Sequence, residues 1–183
     1  ATKQMVETGD YIDIRFQEEP RHKKPIGIYW LQSVSVAVSG EGAAAPIWVY
    51  RLPSLLAAIG AVLLTWAMAA RWFGRETGFI AGALLASTLL LGIEARHAKT
   101  DAALLFFILL AQFALAQIYG AFRANRESGS GIALLFWAAL GVGVLIKGPI
   151  PLLVSFGTLA LLAIADQRIG WWRRLKPASY THL

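Results

Sequence analysis

The chain has 183 residues, of which 57% are hydrophobic and only 15% are charged. Its 17 Lys and Arg against 11 Asp and Glu give a formal charge of +6. A soluble chain of this length cannot bury so much apolar surface, and disorder requires low hydrophobicity and high charge. The mean hydropathy of +0.56 therefore indicates an integral membrane protein. The basic residues lie between apolar segments, not in one stripe, which argues against nucleic-acid binding, and there is no Cys for a disulfide or a thiol nucleophile.

Residues 1–45 are predicted to form an external juxtamembrane segment. Residues 11–16 alternate apolar and polar side chains, which is typical of a short strand. The uncharged stretch Ile26–Gly40 is too short to cross a bilayer comfortably and predicts a helix lying in the interface. The segment shows no signal-peptide pattern, and the chain stops without a structural end signal. We therefore expect a piece of a longer protein.

Residues 46–183 are predicted to form an all-α transmembrane bundle. A helix needs about 17–25 uncharged residues to cross a bilayer, and five such segments occur here: Leu52–Ala70, Thr77–Ile93, Ala102–Phe122, Ser128–Ile146 and Gly148–Ala165. They are apolar on all faces, as lipid-embedded helices are. The connections between them are short, so neighbouring helices should run antiparallel.

The positions of the cations predict the orientation of the bundle. Alternate connections place these residues on one side: Arg71, Arg75, Arg123, Arg126, Arg168, Arg173, Arg174 and Lys176. The other side holds Arg51, Arg96, Lys99 and Lys147, with five more in the N-terminal segment. The positive-inside rule makes the first side cytoplasmic, so the N-terminal segment is predicted to be periplasmic in a bacterial inner membrane. The predicted interfacial anchors are Trp72, Trp171 and Trp172 inside, and Trp48 and Tyr50 outside.

Two groups of cations flank the membrane in a way that could bind an anion. Arg21, His22, Lys23 and Lys24 precede Pro25. They can simply meet lipid phosphates at the surface, or Lys24 can form a specific phosphate clamp, because an ammonium is a compact point charge. Lys147 stands before Gly148 and Pro149. It can snorkel to the interface, or the break after it can fix its position.

The stretch Glu94–Asp101 gathers acids, bases and a histidine between two spans. Thr100 or Asp101 can cap the helix that begins at Ala102, which is the simpler interpretation. The same loop can instead line a polar cavity. Glu94, His97 and Asp101 would share a face, as a metal or proton site requires, only if one helix continued through them, and the turn between the spans argues against it.

In their order along the chain, these segments resemble a known family. The residues that carry the likeness are Glu7–Tyr11, Lys23–Gln32, Arg51–Ser54, Arg71–Arg75, Ala95–Asp101 and Ile146–Pro149. This order is similar to that of the polyprenyl-phosphate-sugar-dependent glycosyltransferases of the GT-C fold. Within them the likeness is to the bacterial aminoarabinose lipid A transferase and the protein mannosyltransferase-like enzymes.

The resemblance implies a membrane enzyme that moves a sugar from a polyprenyl-phosphate donor to a lipid or glycan acceptor at the external face. Asp101 matches the second acidic position of the family, and Lys24 matches the lysine that faces the lipid phosphate. The main catalytic acid would precede Ala1, so these 183 residues alone should be inactive. The family's metal-ligand glutamate is replaced by Lys23, and its histidine partner would follow Leu183, so no metal site is assigned and the cofactor is left unknown.

This chemistry suits the residues present. A phosphate leaving group needs cations nearby more than a proton donor, and Lys24, Arg96 and Lys147 are the predicted lipid-phosphate ligands. Asp101 is the predicted catalytic carboxylate of this segment, supporting the main acid or positioning the acceptor. The alternative is a non-catalytic transporter or lipid-carrier-binding bundle that uses the same cations, although no internal repeat of the transporter kind is evident.

Overall fold

The computed structural model describes residues 1–21, 24–167 and 174–175. The N-terminal part contains α1 (Thr2–Thr8), a hairpin of β1 (Arg15–Phe16) and β2 (Glu19–Pro20), α2 (Gly27–Ser39) and a 3-10 turn (Gly42–Ala44). The bundle consists of α3 (Ile47–Phe73), α4 (Arg75–Ser87), α5 (Leu89–Ala95), α6 (Asp101–Arg123), α7 (Ser130–Lys147) and α8 (Ile150–Asp166). These residues named above lie outside the described ranges: His22, Lys23, Arg168, Trp171, Trp172, Arg173, Lys176 and Leu183.

Each of the five predicted spans is helical, which confirms the all-α membrane fold. Among the described residues, α3, α6 and α7 are long and apolar enough to cross a membrane, and α4 with α5 forms a fourth candidate. The fifth predicted span corresponds to α8, which is apolar and has 17 residues. The first helix begins at Ile47, before the predicted Leu52, because Trp48, Tyr50 and Arg51 extend it past the uncharged run.

The second predicted span is broken. Helices α4 and α5 meet at an angle of 64°, and Thr88 between them has an extended backbone. The Ser87 hydroxyl donates to the Leu84 carbonyl and the Thr88 hydroxyl donates to the Leu85 carbonyl. These bonds supply partners for carbonyls that the break leaves without their helical amides, which matters inside a membrane because water cannot replace them.

The five segments of the bundle, with α4 and α5 counted as one, alternate in direction. The Ser54 hydroxyl near the start of α3 donates to the Lys99 carbonyl just before α6. Leu91 of α5 packs with Ala58 and Ala102, so the bent α4–α5 pair traverses the bundle. The bundle therefore has two ends: one contains the start of α6 and is called the Asp101 end, and the other contains the end of α3 and is called the Arg71 end.

Small residues let neighbouring helices approach closely. A Cβ added to Gly78 of α4 would lie 2.5 Å from the Ala70 Cβ of α3. Such contacts are typical of membrane helices, where van der Waals packing replaces the hydrophobic effect as the force between helices. The main buried cluster lies between α6 and α7, around Phe136, Leu115 and Ile118.

The predicted interfacial helix is present as α2, and it packs on the bundle at the Asp101 end. Its buried side contains Ile28, Gln32 and Val36, while Val38 is 84% exposed. The predicted strand over residues 11–16 shrinks to the two residues of β1, because the Asp10 carboxylate accepts hydrogen bonds from the backbone amides of Ile12 and Asp13 and forms a turn there.

The exposure of the predicted anchors differs between the described aromatic residues. Trp48 and Trp72 are 54% and 53% exposed, as side chains that meet an interface must be. Tyr50 as an anchor is wrong, because it is only 8% exposed and clusters with Val36 of α2 and with Val49. The docking of α2 on α3 covers the face that carries residue 50.

Candidate functional site

Asp101 and Lys147 form an ion pair at the Asp101 end. The Lys147 ammonium donates to Asp101 Oδ1. Asp101 lies in the first turn of α6, and Lys147 is the last residue of α7, so each charge is favoured by its helix dipole. Gly148, with φ of 71°, ends α7 immediately after Lys147. Both side chains are 38% exposed, so the pair remains accessible to solvent or substrate.

A cavity of about 260 Å³ lies between the N-terminal segment and the loop before α6. Lys24, Arg21 and Lys99 line it, and no carboxylate does so among the residues that the structure describes. The Arg21 guanidinium lies over the Phe16 ring, 5.2 Å from its centroid. Three cations without a lining acid make the cavity suitable for a phosphate group.

Thr100 connects this cavity with the ion pair. It occupies the N-cap position of α6, as one of the two capping alternatives predicted, but its side chain makes no capping hydrogen bond. The residue is 1% exposed, and its hydroxyl has no partner among the described residues. It lines the cavity with Lys24, and a buried unpaired hydroxyl is expensive unless something else binds it. Sequence reasoning assigned Thr100 only a capping role.

The loop before α6 is fastened to its neighbours by buried polar groups. Ser54 is fully buried and donates to the Lys99 carbonyl at 3.0 Å. Gln32 of α2 is 5% exposed, donates to the Ala98 carbonyl and accepts a hydrogen bond from the Thr2 hydroxyl. These bonds cross from α3 and α2 to the loop, so the wall of the cavity is held from two sides.

The structure brings together some of the predicted site residues and separates others. Asp101 and Lys147 are in contact, and Lys24 faces the adjacent cavity. Arg96 is exposed and does not line the cavity. Lys99, which was not among the predicted phosphate ligands, does line it and also pairs with Glu94 at 3.4 Å. Sequence reasoning missed the Asp101–Lys147 contact because 46 residues separate the partners.

The described residues offer no ligand set for a metal. Helix α5 ends at Ala95 and α6 begins at Asp101, so Glu94, His97 and Asp101 do not share one helix face. The His97 ring nitrogen Nδ1 lies 2.7 Å from the Ile93 carbonyl. Within residues 1–21, 24–167 and 174–175, no three His, Asp or Glu side chains lie close enough to hold a metal ion.

A family profile described as dolichyl-phosphate-mannose-protein mannosyltransferase matches residues 23–182. The chain is 29% identical over 179 residues to the undecaprenyl phosphate-alpha-4-amino-4-deoxy-L-arabinose arabinosyl transferase of Aeromonas salmonicida, covering 96% of this chain and 31% of that protein. It is 28% identical to an uncharacterised protein of Aquifex aeolicus, covering 88% of this chain and 35% of that one. The chain thus spans about a third of the length of these relatives.

Solved structures share the fold. Crystal structures of ArnT from Cupriavidus metallidurans, in the apo state and bound to undecaprenyl phosphate, each superpose with a TM-score of 0.82 at 23% identity. Each match covers 97% of this chain and 32% of the solved chain. The likeness supports the predicted GT-C fold and extends across nearly all of the helices described above.

Proposed function

Because the chain belongs to the dolichyl-phosphate-mannose-protein mannosyltransferase family, we propose that it forms part of a membrane glycosyltransferase. The enzyme moves a sugar from a polyprenyl-phosphate donor to a lipid or glycan acceptor. Support comes from the relatives named as arabinosyl transferases and from the solved neighbour bound to undecaprenyl phosphate. The observation that carries the proposal to these residues is the cation-lined cavity beside the Asp101–Lys147 pair.

The cavity receives the phosphate of the donor. When the sugar is transferred, its bond to the phosphate oxygen breaks and negative charge develops on the leaving phosphate. Cations positioned beforehand stabilise that charge without reorganisation. Lys24 is the main ligand, Lys99 and Arg21 complete the set, and the unpaired Thr100 hydroxyl donates to a phosphate oxygen.

Lys147 and Asp101 act next to the phosphate. An ammonium has three donors, so Lys147 can keep its bond to Asp101 Oδ1 and still donate to a phosphate oxygen. Asp101 Oδ2 accepts no hydrogen bond from the described residues, which leaves it available to an acceptor hydroxyl or amine. Asp101 is therefore a positioning residue for the acceptor, and Arg96 serves at the outer rim, where it meets the phosphates of surrounding lipids.

The site faces the periplasm of a bacterial inner membrane. The support is geometric: the N-terminal segment, the loop before α6 and Lys147 all lie at the Asp101 end. At the other end, Arg71 and Arg123 lie in the last turns of α3 and α6, and Arg126 lies in the connection from α6 to α7. The positive-inside rule assigns that end to the cytoplasm. A lipid-linked donor reaches such a site by diffusion in the membrane.

Binding of undecaprenyl phosphate to the purified full-length protein tests the phosphate site. Lys24→Ala should weaken binding about ten- to a hundredfold, since a hydrogen bond to a charged group contributes about 1.5–3 kcal/mol. Lys3→Ala is the matched control, because Lys3 is 64% exposed on α1, pairs with Glu7 and lies outside the cavity. Equal losses in the two variants, or none in either, would contradict the assignment of the cavity.

Sugar transfer tests the enzymatic part separately. The full-length protein is supplied with undecaprenyl-phosphate-linked aminoarabinose or with polyprenyl-phosphate-linked mannose, and transfer to a lipid extract is measured. We expect turnover with one of the two donors. Tight binding of undecaprenyl phosphate without turnover of either donor would instead indicate the carrier-binding alternative.

A further inference from the structure

A second cavity, of about 520 Å³, lies at the Arg71 end, between the end of α3 and the connection from α6 to α7. It is separate from the proposed sugar-transfer site, because α6 runs 23 residues from Asp101 to Arg123. The lining groups that can contact an anion or its surroundings are Arg71, Trp72, Gln117, Arg126 and Glu127.

The two arginines of this cavity have no carboxylate partner in the part of the chain that the structure describes. Within residues 1–21, 24–167 and 174–175, neither the Arg71 nor the Arg126 guanidinium takes part in an ion pair. Arg123, three residues before Arg126, differs because it pairs with Asp166 at 3.1 Å. Glu127 is the single carboxylate among the described lining residues. The lining therefore carries two guanidinium groups against one carboxylate, and Gln117 adds a half-buried amide.

The position of the cavity along the helices selects the kind of anion. Arg71 lies in the last turn of the 27-residue helix α3, and Trp72 beside it is 53% exposed. A basic residue followed by an exposed tryptophan at the end of a membrane helix marks the level of the lipid head groups. Basic pockets between membrane helices at that level bind the phosphates of anionic lipids.

We propose that the Arg71–Arg126 cavity binds the phosphodiester head group of an anionic glycerophospholipid. Arg71 and Arg126 hold the phosphate from opposite walls, since a guanidinium can donate two parallel hydrogen bonds to phosphate oxygens. Gln117 donates to the glycerol part of the head group, and Trp72 packs beside the lipid at the interface. Bound lipid connects α3 to the α6–α7 connection by charge-assisted contacts. The proposal does not depend on the sugar-transfer reaction.

The test is lipid binding measured by native mass spectrometry on the purified full-length protein in a neutral detergent. The probes are phosphatidylglycerol, phosphatidylcholine and inorganic phosphate. The double variant Arg71→Gln/Arg126→Gln should lose phosphatidylglycerol affinity by at least about tenfold, because two hydrogen bonds to a charged group are removed. Arg75→Gln is the matched control, since Arg75 is exposed at the same end of the bundle and does not line the cavity.

Four outcomes would overturn the proposal. Equal affinity for phosphatidylglycerol and phosphatidylcholine would show that the negative charge of the head group is not recognised. An equal loss in Arg75→Gln would show a diffuse basic surface. Displacement of phosphatidylglycerol by inorganic phosphate, added at the same concentration at which phosphatidylglycerol saturates the site, would identify a soluble anion as the ligand. A variant that keeps both charges, Arg71→Lys/Arg126→Lys, should retain intermediate affinity, and its complete loss of binding would also contradict the charge-based mechanism.

Discussion

Two ion pairs hold α6 to its neighbours, one at each end of the bundle, and they are built differently. At the Arg71 end, Asp166 of α8 accepts from Arg123 through Oδ1 and from the Tyr119 hydroxyl through Oδ2 at 2.7 Å. At the Asp101 end, the Asp101 carboxylate accepts only from Lys147 among the described residues. The first carboxylate uses both oxygens within the fold, and the second leaves one oxygen for another group.

The two carboxylates also differ in the exposed fraction of their side chains. The Asp166 side chain is 14% exposed, whereas those of Asp101 and Lys147 are each 38% exposed. A carboxylate that is satisfied and covered contributes to stability, because its removal leaves donors without partners. A carboxylate that is half satisfied and accessible contributes little to stability and remains available for substrate. The comparison thus favours a structural role for the Arg123–Asp166 pair and agrees with the functional role proposed for the Asp101–Lys147 pair.

The largest expected effect is the loss of sugar transfer in Asp101→Ala. We expect the activity of the full-length protein to fall about a hundredfold, near the upper end of what one charged hydrogen bond contributes. The same substitution at Asp166 should leave most of the activity, because that carboxylate lies at the other end of α6. Comparable losses in the two variants would remove the distinction between the pairs.

The stability of the two variants should show the reverse order. Asp166→Ala should lower the free energy of unfolding by about 1–3 kcal/mol, since it removes the carboxylate that accepts from the Tyr119 hydroxyl and the Arg123 guanidinium. Asp101→Ala should lower it by less than about 1 kcal/mol, as exposed pairs do. Reversible unfolding of the full-length protein in mixed micelles measures both values, and a larger loss in Asp101→Ala would contradict the structural role given to Asp166.

A smaller effect is expected at Thr100, next to the functional pair. Thr100→Val keeps the shape of the side chain and removes the unpaired hydroxyl. Affinity for undecaprenyl phosphate should fall about tenfold, as loss of one such hydrogen bond predicts, while the free energy of unfolding stays unchanged or rises. Thr100→Ser should bind as the original protein does. If Thr100→Val also binds normally, the hydroxyl is not a phosphate ligand.

The smallest effect concerns a carboxylate outside both pairs. The amides of Ile12 and Asp13 donate to Asp10, which lowers the pKa of that carboxyl. A lowered pKa means that the turn is favoured at neutral pH and loses this support as the pH falls through the lowered value. An NMR titration should show the Ile12 amide shift changing below the ordinary range for Asp, with global unfolding unaffected. A midpoint at the ordinary aspartate value would contradict the bond.

Most of the fold follows from the sequence because apolar runs bounded by charges define membrane helices. The third span was predicted as Ala102–Phe122 and is observed as Asp101–Arg123. The break at Thr88 was missed, since Ser87 and Thr88 sit inside an apolar run that has no Pro there to signal it. Tyr50 was misplaced for a related reason: whether a residue at a helix end faces lipid or protein depends on which segment docks beside it.

The candidate site was predicted only in part: some of its residues were identified, but their grouping was not. Asp101, Lys24 and Lys147 were identified one at a time, because each is a costly charge near a membrane. Their grouping depends on contacts between distant segments, which spacing along the chain does not report. Thr100 carried no signal beyond its capping pattern, since an unsatisfied hydroxyl is a property of packing.

The contact at Gly27 also sets the distance between α2 and α7. A Cβ on Gly27 would lie 2.6 Å from the Leu145 carbonyl, so α2 rests on the main chain of α7 with no side chain between them. Gly27 stands three residues after Lys24, and Leu145 stands two residues before Lys147. The direct contact between the two main chains therefore sets the distance between the segment that carries Lys24 and the end of α7 that carries Lys147. Any side chain at position 27 would push α2 away from α7 and so lengthen the distance between Lys24 and Lys147. The proposed sharing of one phosphate by these two cations therefore depends on glycine at this position.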